Sequence, residues 1–424
     1  MSDSVSVKRY RFLGITWWKI VRSDYYVKKY LLGVLVYKRL KVDKSIEEIQ
    51  IIESDFKRKF DAFCKFSSHE SQIKKIFIYL SIPFKAELYQ RPQHLAVNLA
   101  RLNNLVIYAD NKQAGEISEN LHILGEKLIF KVAKPLGKSI YVFVGNTIDI
   151  NTTLRLKQEG YEIIYEYIDE ISDEIFGGAA SFLREKHRRL EEAEPSLIIT
   201  TAKKLYEEMA ARFGEEKVIL SPNAVDVEHF NNVDKSVIPD DLIEITRKDQ
   251  SIIGYYGAIA PWLDYELINR AAKERPDYNF VFIGPNYDNE WAKEFKQTNI
   301  KYLGAKHYSE LPQYSIHFDV CMIPFKEGEV AKLTSPLKLF EYMAAKKAVV
   351  VTKDLLECYG YEGVLPSQND EEFITNLDKA LMLGKDVNIQ NKLFSYAREN
   401  TWKQRAVAID KRISEIEKET LFRG

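Results

Sequence analysis

The sequence of 424 residues contains only three cysteines, Cys64, Cys321 and Cys358. None falls in a C-x-x-C pair or at Cys/His metal spacing, so neither a disulfide framework nor a zinc site is expected. They read as small buried hydrophobes of a reducing compartment. No run of about 18 apolar residues occurs, which excludes an ordinary membrane-crossing helix. The first ten residues lack the apolar stretch of a secretory signal, so a cytoplasmic protein is expected. Net charge is nearly absent, with 61 basic residues against 62 acidic ones, which removes any general drive toward nucleic acid. What remains is a globular composition, 46% hydrophobic and 29% charged, in a chain too long for one ordinary core.

The charge is unevenly spread. Between Met1 and Lys41 stand ten basic residues (Lys8, Arg9, Arg11, Lys19, Arg22, Lys28, Lys29, Lys38, Arg39, Lys41), opposed only by Asp3 and Asp24. Aromatic residues including Trp17, Trp18, Tyr25, Tyr26 and Tyr30 are interleaved with them. Basic groups attract anionic headgroups and amphipathic rings favour the interface, so peripheral contact with the inner membrane face is one expectation. An extension packed on the body, its lysines merely solvated, is the other.

From Asp43 to about Ser71 apolar residues recur at helical spacing. After that, short apolar strands alternate with amphipathic helices. Strands are expected at Lys75–Leu80, Leu105–Ala109, Ile140–Val144, Glu162–Ile168, Leu197–Thr201 and Val218–Leu220, with helices at Gln93–Leu102 and Ala179–Ala193. A polar stretch from Asn231 to Gln250 interrupts the pattern. It restarts at Ile252–Tyr256, Phe280–Ile283, Ile300–Tyr302, Phe318–Ile323 and Ala348–Thr352, and the tail from Asn388 to Leu421 is helix-forming. This grammar predicts two doubly wound α/β domains with parallel sheets. The expected divisions are residues 1–74 as an extension, 75–235 and 236–395 as two Rossmann-like domains, and 396–424 as a C-terminal helix. Ligands of such sheets sit beyond the carboxyl ends of the strands.

The stretch from Leu333 to Val351 carries the most chemistry. Ser335 suits an N-cap and Pro336 a first helical residue. A helix start offers unpaired N–H groups and a positive dipole end to a phosphate. Lys338 would add a full charge, and Glu341, one turn on, could accept hydrogen bonds from ribose hydroxyls. Leu337, Phe340 and Met343 would pack on the sheet. An ordinary capped amphipathic helix with a solvated Lys–Glu pair is the plainer reading of the string alone.

Ser335-Pro-Leu-Lys-Leu-Phe-Glu-Tyr-Met-Ala-Ala345 resembles the nucleotide-sugar helix of GT-B glycosyltransferases, especially family 4 and related bacterial surface-polysaccharide enzymes. Three more segments are similar to that group and stand in the right order. They are Tyr89-Gln-Arg-Pro-Gln-His-Leu-Ala96, Ser221-Pro-Asn-Ala-Val-Asp-Val-Glu-His-Phe230, and Ile253-Gly-Tyr-Tyr-Gly-Ala-Ile259 with Asp264 following. The resemblance implies a GT-B fold, two Rossmann-like domains facing across a cleft. It implies that Lys338 contacts the donor diphosphate and Glu341 the ribose. It also implies that Gly257, Ala258 and Ile259 approach the donor and that Gly284, with Pro285, lies near the base or ribose; a tight turn accounts equally for those glycines. Two features depart from the family. The first acid of the usual pair is replaced by Leu333, with Glu327 and Glu329 nearby as substitutes. The usual Arg and Lys after Gly257 are replaced by Ala260-Pro-Trp-Leu-Asp264.

No Asp-x-Asp motif occurs, so a metal-independent transferase without a cofactor is expected. Its partners would be a nucleotide-sugar donor (UDP or GDP mildly preferred, since Glu341 could accept from two ribose hydroxyls, with dTDP, which keeps one of them, still open), and a glycan or lipid-linked acceptor. Asp169, after the strand Glu162–Ile168, is the candidate base or acceptor holder, or else a helix cap. Arg91 and His94 could bind or polarise the acceptor, or be a surface residue and a core histidine respectively. A nucleotide-sugar 2-epimerase and a non-catalytic scaffold in glycan assembly are the competing functions.

Overall fold

The computed structural model describes residues 6–12, 15–22, 26–31, 34–40, 54, 57–58, 74–86, 88–110, 114–118, 120–125, 139–145, 150–172, 180–247 and 250–423. Contacts group the chain into two compact units. The first comprises Met1–Lys85, Ala96–Glu166 and Phe176–Leu197, and the second Ala86–Leu95, Tyr167–Ile175 and Ile198–Gly424. Cys64 and most of the predicted helix between Asp43 and Ser71 lie outside the described residues.

The basic, aromatic leading segment forms an antiparallel sheet of four strands in sequence order, β1 (Ser6–Phe12), β2 (Ile15–Arg22), β3 (Tyr26–Leu31) and β4 (Val34–Leu40). Arg9 pairs with Lys19 and Lys28 with Lys38 in its register. Next along the chain come β5 (Ile76–Leu80), helix α1 (Arg91–Ala100), β6 (Leu105–Ala109), β7 (Gly115–Ser118), β8 (Leu121–Leu124), β9 (Ile140–Gly145), α2 (Ile150–Gln158), β10 (Glu162–Tyr167) and α3 (Ala180–Glu192). Their strands run in the order β10-β9-β5-β6-β8-β7, parallel except for β7 against β8. Every residue of β5 and β6 is buried. That is why these strands read as unbroken apolar runs rather than alternating ones.

The second unit holds β11 (Leu197–Thr200, from Ile198), α4 (Lys203–Phe213), β12 (Val218–Leu220) and α5 (Val227–Asn231), with β11 and β12 parallel. Its main sheet is built from β13 (Ser251–Tyr256), β14 (Tyr278–Ile283), β15 (Ile300–Tyr302), β16 (Val320–Ile323), β17 (Val349–Thr352) and β18 (Val364–Ser367). The order is β15-β14-β13-β16-β17-β18 and every pairing is parallel. Helices α6 (Tyr265–Glu274), α7 (Glu329–Lys332), α8 (Leu337–Ala344), α9 (Asp370–Leu383) and α10 (Val387–Glu399) complete it. Cys321 and Cys358 are buried free thiols.

The helical tail differs from expectation in being two helices. α10 stops at Glu399, and α11 spans Trp402–Arg423. Between them Asn400 O accepts from Val225 N at 3.0 Å and Trp402 N donates to Val225 O. The backbone there bonds sideways and cannot continue the helical ladder. Gln404 N then donates to the Thr401 hydroxyl, restarting the helix.

Candidate active site

Loops at the carboxyl ends of β13, β14 and β16, together with the start of α8, enclose a cavity of about 270 Å³ within the second unit. Gly257, Ala258, Gly284, Ser335, Pro336, Leu337, Lys338 and Glu341 line it, as do Arg91 and Asp169. The sequence thus brings most of its candidates to one place. Two expected residues stand back. Ile259 is fully buried, its N–H bonded to Pro285 O at 2.9 Å, and is not part of the lining. His94 is also outside the lining.

The start of α8 differs by one residue from the sequence reading. Pro336 is its N-cap, and no side chain caps the first turn. Ser335 lies outside the helix, where its hydroxyl accepts from Asn223 N and its carbonyl from Asn223 Nδ2. The hydroxyl meant for the helix is therefore engaged elsewhere. Leu339, Phe340 and Met343 pack in the core while Leu337 faces the cavity, so Leu337 is not the packing residue its spacing implied.

Lys338 and Glu341 are not a solvated pair. The Lys338 ammonium lies over two rings, 5.2 Å from the centre of Tyr255 and 5.1 Å from that of Phe325. Ring quadrupoles hold a cation there without neutralising it. Burial lowers its pKa to about 8, with Glu341 working in the opposite direction. Glu341 is 1% exposed, and its Oε1 makes no hydrogen bond. Burial raises its pKa to about 8, opposed by the Tyr256 hydroxyl and by Lys338. A carboxylate buried with lone pairs unused is costly, which marks the place a ligand would satisfy.

Asp169 follows β10. Burial raises its pKa to about 6, against the pull of Arg91. No helix among the described residues begins at Asp169, so it does not serve as a cap there. Arg91 is 3% exposed, and its guanidinium donates to Ser221 O at 2.8 Å and to the Ser221 hydroxyl at 3.2 Å. His94 lies flat against Trp402, with ring centres 4.7 Å apart and 9° between planes. Tyr89 and Tyr308 meet it edge-on. Burial holds its pKa down at about 3, with His229 adding to the effect.

The two departures also have places. Glu327 pairs with Lys353 at 2.6 Å, and Glu329 with Lys332 at 2.8 Å, both outside the lining. Neither replaces the acid absent at Leu333. Trp262 lines the cavity where the resemblance led one to expect a cation, 5.9 Å from the Tyr287 ring. Sequence reasoning missed Tyr308, Asn223 and Lys306 in the lining. Asn223 stood in a quoted motif, but nothing in that motif revealed its contact with Ser335.

Residues 252–382 match the family described as Glycosyl transferases group 1. TuaH of Bacillus subtilis (strain 168), whose name assigns it to teichuronic acid biosynthesis as a glycosyltransferase, is 30% identical over 197 residues. That alignment takes in 45% of this chain and 49% of TuaH, so the chain spans about half the length of this curated relative. Among solved structures, sucrose-phosphate synthase of Thermosynechococcus elongatus superposes with a TM-score of 0.60 at 12% identity, over 82% of this chain and 100% of that one. Anabaena HepE, solved with UDP and glucose, superposes with a TM-score of 0.58 at 15% identity, over 81% and 100%. These likenesses bear out the fold, two Rossmann-like units of the GT-B type.

Proposed function

We propose that this chain, whose second unit carries a glycosyl transferases group 1 domain, moves a sugar from a nucleotide-sugar donor to a glycan or lipid-linked acceptor in bacterial surface-glycan assembly. The observation that carries the reading is the burial of Lys338 and Glu341 in one cavity, both held away from their ordinary ionisation. Lys338, at the uncapped start of α8, stabilises the leaving diphosphate by fixed charge, without a metal in the role. Glu341 accepts the ribose hydroxyls. Gly257 and Ala258 let the backbone approach the donor, and Gly284 lies beside them.

Glu341 supports a ribose nucleotide, UDP or GDP, and the UDP bound to HepE favours UDP of the two. The name of TuaH supports a surface-polysaccharide acceptor. Asp169 takes the role of base or acceptor holder, because its raised pKa lets it carry a proton near neutrality. Arg91 and His94 act as scaffold, the first on the Ser221–Pro222 turn and the second within the Trp402 stack. The sheet β1–β4, with no acid in its strands, is the part that meets an anionic membrane. No helix among the described residues is long and apolar enough to cross one.

The test is transfer of radiolabelled sugar from UDP- and GDP-sugars into lipid extracts, by wild type and Lys338→Ala. Transfer by wild type and its loss in the variant are expected. Isomerisation of the sugar without transfer would replace this reading by the epimerase, and inertness with every donor would replace it by the scaffold.

A further inference from the structure

Asn223 has more bonding than a loop residue needs. Its N–H donates to the Ser335 hydroxyl at 3.2 Å, and its Nδ2 donates to Ser335 O at 2.7 Å. A carbonyl only accepts, so the amide nitrogen must face Ser335 and the oxygen must face away. That oxygen, Oδ1, is buried without a hydrogen-bond partner, and Asn223 lines the cavity.

The turn that carries Asn223 is itself held from behind. Arg91 donates to Ser221 O at 2.8 Å and to Pro222 O at 3.4 Å. Arg405 of α11 donates to Pro222 O at 3.0 Å and is desolvated enough that its pKa falls to about 10. Two guanidinium groups, of Arg91 at the start of α1 and of Arg405 in α11, thus fix residues 221–222. Asn223 passes that constraint to Ser335, which stands one residue before the N-cap of α8 and three before Lys338. Since no side chain caps α8, the tether at Ser335 is what sets the direction in which its first N–H groups point. A misplacement of about 1 Å at such a site is enough to lose much of its effect.

We infer that Asn223 is a positioning residue: through Ser335 it sets the start of α8 and Lys338 against the terminal phosphate of a nucleoside diphosphate. The cavity side of the same amide offers an acceptor, which suits a ligand hydroxyl and not a phosphate oxygen. This inference rests on the donor-site reading above.

The test uses the full chain, wild type, Asn223→Ala and Ser335→Ala. Each is titrated calorimetrically with the diphosphate that wild type binds most tightly among UDP, GDP and dTDP, and with its monophosphate. Circular dichroism and a thermal melt report on the fold. The preference of wild type for the diphosphate should shrink at least fivefold in Asn223→Ala and by about half that factor in Ser335→Ala, with the fold retained. Equal weakening of both nucleotides, or no change in either, would overturn the positioning role; if Asn223→Ala fails to fold, Ser335→Ala decides it alone. Wild type that binds none of the three diphosphates would instead sink the donor-site reading on which the inference stands.

Discussion

A Cβ built on Gly284 would lie 1.8 Å from the carbonyl oxygen of Gly257. Both glycines also hold positive φ, +146° at Gly284 and +143° at Gly257. The two loops that wall the cavity therefore pass backbone to backbone, and only the missing side chains allow it. Gly284→Ala pushes a methyl group into a main-chain atom that cannot rotate away. Its expected cost is about 1–3 kcal/mol, seen as a fall in melting temperature together with lost nucleotide binding. At Gly257 the added atom would meet the Lys338 Cε and the Tyr255 hydroxyl at 2.9 Å. Because a lysine end can move, Gly257→Ala should weaken binding with a smaller loss in the melt.

The Lys338–Glu341 site makes stability depend on pH in a defined direction. Glu341 binds its proton more tightly folded than unfolded, with a pKa raised from 4.5 to about 8. The stability it contributes is complete below about pH 4.5 and is lost as pH rises through about 8. Urea melts of wild type and Glu341→Gln between pH 5 and 8 should therefore show wild type losing ground to the variant. Lys338 is the opposite case, lowered from 10.5 to about 8. Its contribution is present above about pH 10.5 and lost as pH falls through about 8. A diphosphate favours the charged ammonium, so binding near pH 8.5 should take up protons, which calorimetry in buffers of different ionisation enthalpy measures.

Asp169 should separate chemistry from binding. Asp169→Asn is expected to lower kcat by about 10²-fold or more, in the range of a lost general base. UDP affinity should be nearly unchanged, since the ribose and diphosphate contacts remain. The acid limb of the wild-type kcat/KM profile should fall near pH 6, the value to which burial raises this carboxyl, and should be absent from the variant's residual activity.

The stack beneath α1 is structural. Trp402 is 1% exposed, with His94 against one side and the Arg91 guanidinium 5.9 Å from the ring centre. Trp402→Ala should cost about 3–5 kcal/mol, read from denaturant melts. His94→Phe keeps a flat apolar ring and should retain most activity at pH 7. Its loss should also remove a source of acid lability. With its pKa lowered from 6.5 to about 3, the histidine's contribution is present above about pH 6.5 and lost as pH falls through about 3.

The strands were legible because both faces of the parallel sheets are covered, so β5, β6 and β13 appear as apolar runs with few breaks. Lys338 and Glu341 were legible because one turn of α8 carries both. The rest depends on contacts far apart in sequence. Asn223 and Ser335 are 112 residues apart, and that bond moved the helix start from the expected Ser335 cap to Pro336. The sheet β1–β4 was hidden by its mixed basic and aromatic composition, which lacks the alternation of a half-buried strand. The small pair β7 and β8 gave runs of only four residues each. His94 stood one turn from Arg91 in a motif, but its surroundings come from Trp402 and Tyr308, which only the fold supplies.

The most direct test of the central claim is nucleotide binding at Lys338. UDP, GDP and dTDP are added at one shared concentration, about 100 times the lowest wild-type dissociation constant among them, to wild type and Lys338→Ala, and the melting temperatures compared. Occupancy at that level stabilises by about 2.7 kcal/mol, a shift that is easily read. Wild type should be stabilised, by UDP most of all, and Lys338→Ala little or not at all. Equal stabilisation of both proteins, or of neither, would contradict the claim.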